Sequence, residues 1–237
     1  MTSTRLPGKI LKQVCGRTLL DYHVSRLLKS QYIDRLVIAT TVNATDDPIE
    51  QYCTAKNIDC VRGDEADVLA RYYQAAQEYS VASSANIIVR VTSDCPLIDP
   101  DLLDQLVRYY ISHRDQYDYV ALGDDHFPRG LDVEVFSAEA LAKAHTHGQL
   151  PLQREHVTPY IYRDGSEFRC GILPSDEKYG HHRWCVDEPA DLLLITNILE
   201  AFEGRDDFSW AECCRLFDEN PHWLALNDKI RQKTLEQ

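Results

Sequence analysis

The sequence predicts an α/β fold built on a mostly parallel sheet, and three observations lead there. Short apolar runs rich in β-branched residues alternate with segments of helical period, helix-starting devices recur between them, and no repeat, low-complexity tract or linker divides the chain. A length of 237 residues is within the range of one α/β domain, so the chain is read as a single domain over 1–237 with a helical appendage from about residue 205.

In chain order, strands are expected at 36–41, 58–61, 86–92, 117–122, 132–136, 168–173 and 183–186. A first helix over 21–30 carries Val24, Leu27 and Leu28 on one face. The next, 48–56, opens with Asp47 ahead of Pro48, a usable N-cap and first-turn pair. Asp99-Pro100-Asp101 repeats that device before 102–113, and Ser209-Trp210-Ala211-Glu212 is a capping box for a late helix. The stretch 123–152 breaks the rhythm and reads as an excursion over the carboxyl edge of the sheet, where open α/β sheets bind ligands.

Composition then narrows the function. With 25 basic and 38 acidic residues the chain carries a formal charge of −13, which argues against a nucleic-acid binder relying on bulk electrostatics but not against a small phosphorylated substrate. No apolar run approaches the roughly 18 residues of a membrane span, and nothing after Met1 resembles a signal peptide. The expectation is a soluble cytoplasmic protein without a membrane partner. Eight cysteines without a C-x-x-C pair read as reduced, mostly buried thiols.

Three segments carry chemistry. Residues 1–20 hold Arg5, Lys9, Lys12 and Arg17 and no acid, a basic island in an acidic protein. Within it, Thr2-Ser3-Thr4-Arg5-Leu6-Pro7-Gly8-Lys9 offers hydroxyls, a glycine backbone and an Arg/Lys pair suited to polyphosphate oxygens, although it lacks Walker A spacing. The competing reading is a solvated tail. The second segment is 91–98, an apolar strand ending in Asp94, where Mg²⁺ and substrate phosphates meet in parallel sheets. The third is 184–191, where Asp187 again follows an apolar run and precedes Pro189. Taken singly, each aspartate is more simply a turn or cap residue, Asp187 above all as the N-cap of the helix that follows. Two such carboxylates beside a basic loop are what a divalent-metal phosphoryl-transfer site requires. His145, His147, His181 and His182 form no credible metal constellation and read as surface imidazoles.

Six motifs in order carry a resemblance: Thr2 to Lys9; Arg62-Gly63-Asp64 with Asp67-Val68-Leu69 and Arg71; Thr92 to Leu97; Pro128-x-Gly130-Leu131-Asp132-x-Glu134; Arg154-Glu155-His156-Val157-Thr158-Pro159-Tyr160; and Trp184-x-Val186-Asp187-Glu188. Together they resemble the SpsF-like branch of the acylneuraminate cytidylyltransferase family, from Met1 to about residue 200. The resemblance implies a three-layer α/β/α, Rossmann-like nucleotide-diphospho-sugar transferase fold and transfer of CMP from CTP to a sialic-acid-like sugar acid, with release of pyrophosphate, in surface polysaccharide or glycan biosynthesis. It implies that Ser3, Arg5, Gly8 and Lys9 hold the triphosphate, that Asp94 and Asp187 bind Mg²⁺, and that Arg62, Asp67 and Arg71 lie near the nucleotide. Arg154, Glu155 and His156 are assigned to the acceptor-sugar side. His156 is a proton acceptor by chemistry and equally a structural histidine. Family members often dimerise, so a homodimer is a further expectation.

The sequence departs from the family in one respect. Family members generally begin with a hydrophobic strand and Gln-Ala-Arg ahead of the Thr-Ser-Thr-Arg-Leu-Pro-Gly-Lys loop, whereas this sequence starts at the Met inside that motif. A late-assigned start is the favoured reading, since every downstream motif is intact; a non-catalytic sugar-nucleotide-binding paralogue is one alternative. A glycosyltransferase of the same architecture is the other.

Overall fold

The computed structural model describes residues 5–79, 87–163 and 165–231, and Ser3 and the rest of 1–4 lie outside them. After a 3-10 turn at Lys9–Leu11 come a small hairpin, β1 (Gln13–Val14) and β2 (Arg17–Thr18), and then α1 (Leu19–Leu27). The body follows as β3 (Val37–Thr41), α2 (Asp47–Lys56), β4 (Asp59–Gly63), α3 (Val68–Tyr79), β5 (Ile87–Arg90), α4 (Pro100–Ser112) and β6 (Tyr119–Ala121). It continues through β7 (Glu134–Ser137), α5 (Ala138–His147), α6 (Pro151–His156), α7 (Pro159–Tyr162) and β8 (Cys170–Ile172), ending with α8 (Pro189–Ala201) and α9 (Trp210–Glu219).

The helix starts follow local chemistry. Thr18 caps α1 by accepting the Asp21 amide, and Ser209 and Glu212 form the expected capping box on α9. Asp99 caps α4 with one carboxylate oxygen and receives the Trp210 amide with the other, at 2.7 Å, which ties α4 to α9. Asp47 is itself the first residue of α2 and not its cap. The buried Asp46 stands before it, accepting Thr40 Oγ1 and both the amide and hydroxyl of Thr41. Helix α1 stops at Leu27, so Leu28 leaves the apolar face and is 60% exposed.

Strand β3 pairs parallel with β4, while β5, β7, β6 and β8 form a second sheet in that order. Within it β6 and β8 are parallel and β7 is antiparallel to both of its neighbours, so β5, β6 and β8 share one direction. Contacts at α3 orient the two sheets. Tyr72, in its first half, donates to the Val91 carbonyl after β5, and Arg71 packs against Gly63 at the end of β4. At its far end Tyr79 carries the Arg35 guanidinium, just ahead of β3, over its ring at 4.7 Å. The carboxyl ends of β3, β4 and β5 therefore lie on one rim.

Alternation along the strands sends side chains to two cores. Val120 and Val135 face a large cluster shared with α1, α4, α8 and α9, whereas Tyr119 and Phe136 face a second cluster with α3, α5 and α7. This is the three-layer α/β/α arrangement. The segment 183–186 is not a strand: it makes a single parallel bridge, Arg183 with Arg129. Trp184 and Val186 are buried, but their amides go to the Arg129 and Asp94 carbonyls, which lie in loops, so no ladder can extend.

Candidate active site

The amino-terminal loop folds over the carboxyl rim. Gly8 adopts φ +66°, a left-handed conformation that glycine enters without strain, and this turns Lys9 inward. Lys9 Nζ donates to Asp94 Oδ2 at 2.7 Å and to Asp187 Oδ1 at 2.8 Å. Arg5 pairs with Asp187 at 3.2 Å and with Glu188 at 3.1 Å. Five side chains separated by up to 183 positions thus converge, and the Val186 amide to Asp94 carbonyl bond of 2.8 Å locks the two carboxylate segments together.

The electrostatics are those of a cation site. Burial opposes ionisation of Asp187, but hydrogen bonds and charge from Lys9, with Arg183 and Arg5, bring its pKa down to about 2. Asp94 is likewise opposed by burial, and Lys9 holds it below the ordinary carboxylate range. Burial disfavours the Lys9 ammonium, yet the two aspartates raise its pKa. Asp94 and Asp187 remain about 24% and 15% exposed, so the pair is open to ligands. An ammonium between two carboxylates shows that the position accepts positive charge. Mg²⁺ commonly takes one or two protein carboxylates with water and phosphate oxygens completing its shell, so the donor set fits that ion. Among the described residues no cluster of three or more His, Cys, Asp or Glu side chains suited to a metal occurs.

Asp187 is not a helix cap. Glu188 occupies the N-cap position of α8, and the buried Asp191 accepts the amides of both Asp187 and Glu188 at 3.0 Å. Arg183 links the two aspartates, at 2.8 Å to Asp187 and 2.9 Å to Asp191. Sequence alone gives Arg183 no role, because it stands at the start of an expected strand at 183–186, whereas the backbone there is irregular and lets Arg183 reach both aspartates. Asp132 stands in the Pro128-x-Gly130-Leu131-Asp132-x-Glu134 motif with no role assigned from sequence: burial raises its pKa, and it accepts the Gly130 amide at 2.8 Å. Gly130, at φ +103°, lies where a Cβ would stand 2.5 Å from the Cys185 amide, so the Pro-x-Gly-Leu-Asp motif is a close backbone approach to the Asp187 segment.

The other expected nucleotide residues are engaged elsewhere. Arg62 bonds the Thr41 and Asn43 carbonyls and pairs with Asp47 and Glu50, fastening β4 to the start of α2. Arg71 is buried against Gly63, with burial lowering its pKa. Asp67 accepts the Ala70 amide and pairs with Arg154, which also bonds the His145 and Gly148 carbonyls. Among the described residues, none of these side chains makes a hydrogen bond or ion pair with Arg5, Lys9, Asp94 or Asp187. Glu155 is exposed and His156, half-buried, ends α6. Immediately after it Val157 sits at φ +73°, a conformation costly for a β-branched residue, closed by a Thr158 amide to His156 carbonyl bond of 2.9 Å. That turn aims Thr158 at Glu134, which also receives Tyr119 Oη and pairs with Arg90. No helix among the described residues is long and apolar enough to cross a membrane.

The chain is similar to several known proteins. A family model described as Cytidylyltransferase matches residues 1–203. The spore coat polysaccharide biosynthesis protein SpsF of Bacillus subtilis is 32% identical over 228 residues, covering 93% of this chain and 92% of its own. A 3-deoxy-manno-octulosonate cytidylyltransferase of Chlamydia trachomatis is 29% identical over 207 residues, covering 83% and 78%. Among solved structures, a cytidylyltransferase from Leptospira borgpetersenii superposes with TM-score 0.87 at 28% identity, covering 99% of this chain and 95% of that one.

Proposed function

The chain belongs to the cytidylyltransferase family, and from that premise we propose that it moves CMP from CTP to a sugar acid, of the sialic-acid or octulosonate kind, releasing pyrophosphate. The observation that carries this reading is the convergence of Lys9 and Arg5 with Asp94 and Asp187 at one rim of the sheet. In the reaction a sugar hydroxyl oxygen attacks the α-phosphorus in line. The new P–O bond forms as the bond to the bridging α,β-oxygen breaks and pyrophosphate leaves, and the hydroxyl proton passes to water.

Little covalent chemistry falls to the protein in such a transfer, so positioning and neutralisation of charge dominate. Arg5 and Lys9 exchange their carboxylate partners for triphosphate oxygens and steady the charge growing on the leaving group. Asp94 and Asp187 are the residues that would hold Mg²⁺, which would supply Lewis-acid charge to the phosphates. Arg183 keeps Asp187 ionised and oriented throughout.

The test is pyrophosphate release from CTP and Mg²⁺ with a panel of sialic-acid-like and octulosonate sugars. Sugar-dependent release is expected. Transfer from a nucleotide sugar to a glycan without it would overturn the reading in favour of a glycosyltransferase, and binding of CMP-sugars without turnover would favour a paralogue that only binds.

A further inference from the structure

Among the described residues, five buried side-chain polar atoms have no hydrogen-bond partner, and three of them, Arg129 Nε, His182 Nδ1 and Trp184 Nε1, fall on two segments that meet at the Arg129–Arg183 bridge. A buried donor or acceptor left unpaired forfeits its hydration, so each one calls for a physical reason. Two of the three residues, Arg129 and His182, line a single cavity of about 190 Å³, walled on its other side by Leu194 of α8 and Phe217 of α9. Sequence alone makes His182 a surface imidazole. It is instead 5% exposed, with Phe217 edge-on at 4.5 Å and Trp184 at 5.6 Å.

The walls are fixed and the space is small. Asn227 donates to the Arg183 carbonyl and to Asp191 Oδ1, both at 2.9 Å, which pins the chain after α9 against the bridge. The volume equals the liquid share of about six waters and falls below the roughly 300 Å³ at which pockets for drug-sized ligands begin, so it suits one small molecule.

The polar groups select that molecule. Burial opposes the Arg129 guanidinium, but Asp132 and the Cys185 thiol raise its pKa, and Arg183 is near enough to repel it. Two guanidinium groups on one cavity favour an oxyanion. Arg183 is committed to Asp187 and Asp191, which leaves Arg129 as the chief cation for a ligand. Burial, and after it the charge of His181, brings the His182 pKa down to about 4, so at neutral pH its ring is uncharged and offers one N–H. Asp228 also lines the cavity, and it is exposed. Its carboxylate can only accept, so it repels an anion without a proton, such as sulfate, and receives the hydroxyl of a protonated phosphate.

We propose that this cavity is a binding site for inorganic phosphate, separate from the triphosphate loop, in which Arg129 and the His182 ring donate to phosphate oxygens and Asp228 accepts the phosphate hydroxyl. Arg183 lines the same cavity while bonding Asp187 and Asp191, so the site borders the carboxylate centre. Phosphate binding there is independent of the proposed transfer of CMP.

The full chain, labelled with ¹⁵N-histidine, is titrated with inorganic phosphate at pH 7.5 and constant ionic strength, without CTP or metal. The His182 ring nitrogens, assigned through His182→Phe, are followed by NMR. A saturable shift is expected, half complete at or below about 1 mM, which a ligand of so few atoms can reach. Arg5→Met should leave that midpoint unchanged within about twofold, whereas Arg129→Met should raise it at least about tenfold. Sulfate should bind about fivefold or more weakly than phosphate, and Asp228→Asn should narrow the gap. Because Asp228 is exposed, this variant tests the site even if Arg129→Met fails to fold. No saturable shift, or one lost in Arg5→Met and kept in Arg129→Met, would overturn the site. Sulfate equal to phosphate in the native chain would overturn the role of Asp228 and with it the choice of phosphate.

Discussion

Lys9 occupies the place proposed for a divalent cation, and this yields a counterintuitive expectation for Lys9→Met. The two carboxylate oxygens that share Nζ, at 2.7 and 2.8 Å, stand no farther apart than about 5.5 Å, and at an effective dielectric near 20 two unit charges at that separation repel by about 3 kcal/mol. In the native chain the lysine relieves that repulsion, and a cation arriving alone must first displace it. In the variant the repulsion is available to drive cation binding, and 3 kcal/mol corresponds to about two decades of affinity. Mn²⁺ titrated into the nucleotide-free protein at pH 7.5, followed by water-proton relaxation, should therefore bind roughly 10- to 100-fold more tightly to Lys9→Met than to the native chain. Turnover with CTP should fall at the same time, since the leaving group loses a positive partner. Unchanged or weaker Mn²⁺ binding would refute the reasoning, because it would mean that the two aspartates do not act as one site.

Asp94→Asn should lower turnover by about 10²-fold or more while moving the melting temperature by only a few degrees, and comparable losses of rate and stability would count against its role. Asp187 has a folded pKa near 2 against an ordinary value of 3.8, so its contribution, on the order of 2 kcal/mol, is complete above about pH 4 and is lost as pH falls from 4 to 2. The urea midpoint should drop across that window, and Asp187→Asn should flatten the drop. Arg62→Met should lower the melting temperature with KM for CTP unchanged within about twofold, since its hydrogen bonds and ion pairs fasten β4 to the start of α2. A large rise in KM would return Arg62 to the nucleotide site.

The fold was legible because its signals are local. β-Branched runs mark β3, β4 and β5 to within a few residues, and Asp99-Pro100 and Ser209-x-x-Glu212 cap helices as their side-chain chemistry requires. The segment 183–186 misled because its apolar residues are buried against loops, and burial without a neighbouring ladder has the same sequence signature as a buried strand. The partners of Arg62 and Arg154 are not legible for a related reason: a charged residue in a motif declares its charge but not its partner. Their carboxylate partners, Asp47 and Glu50 for the one and Asp67 for the other, are placed by tertiary packing.

The same limit explains why Lys9 and Asp187 are legible as charged groups and not as partners. A basic loop and two strand-terminal carboxylates are visible as separate signals, and each alone is satisfied by solvent or by a helix cap. What joins them is the rim common to β3, β4 and β5, together with the Val186 to Asp94 bond that closes the loop at 184–187 onto it. Asp191 is the deciding residue. Glu188 takes the N-cap position of α8 and Asp191 receives the Asp187 and Glu188 amides just ahead of it, leaving the Asp187 carboxylate committed to Lys9, Arg5 and Arg183. An Asp191→Asn exchange keeps an acceptor for the amides but removes the charge that orients Arg183. The expected result is a protein that folds with α8 intact by circular dichroism yet has weakened Mn²⁺ binding, because Arg183 is then free to pair wholly with Asp187. Loss of α8 with Mn²⁺ affinity unchanged would place Asp191 in the helix cap alone.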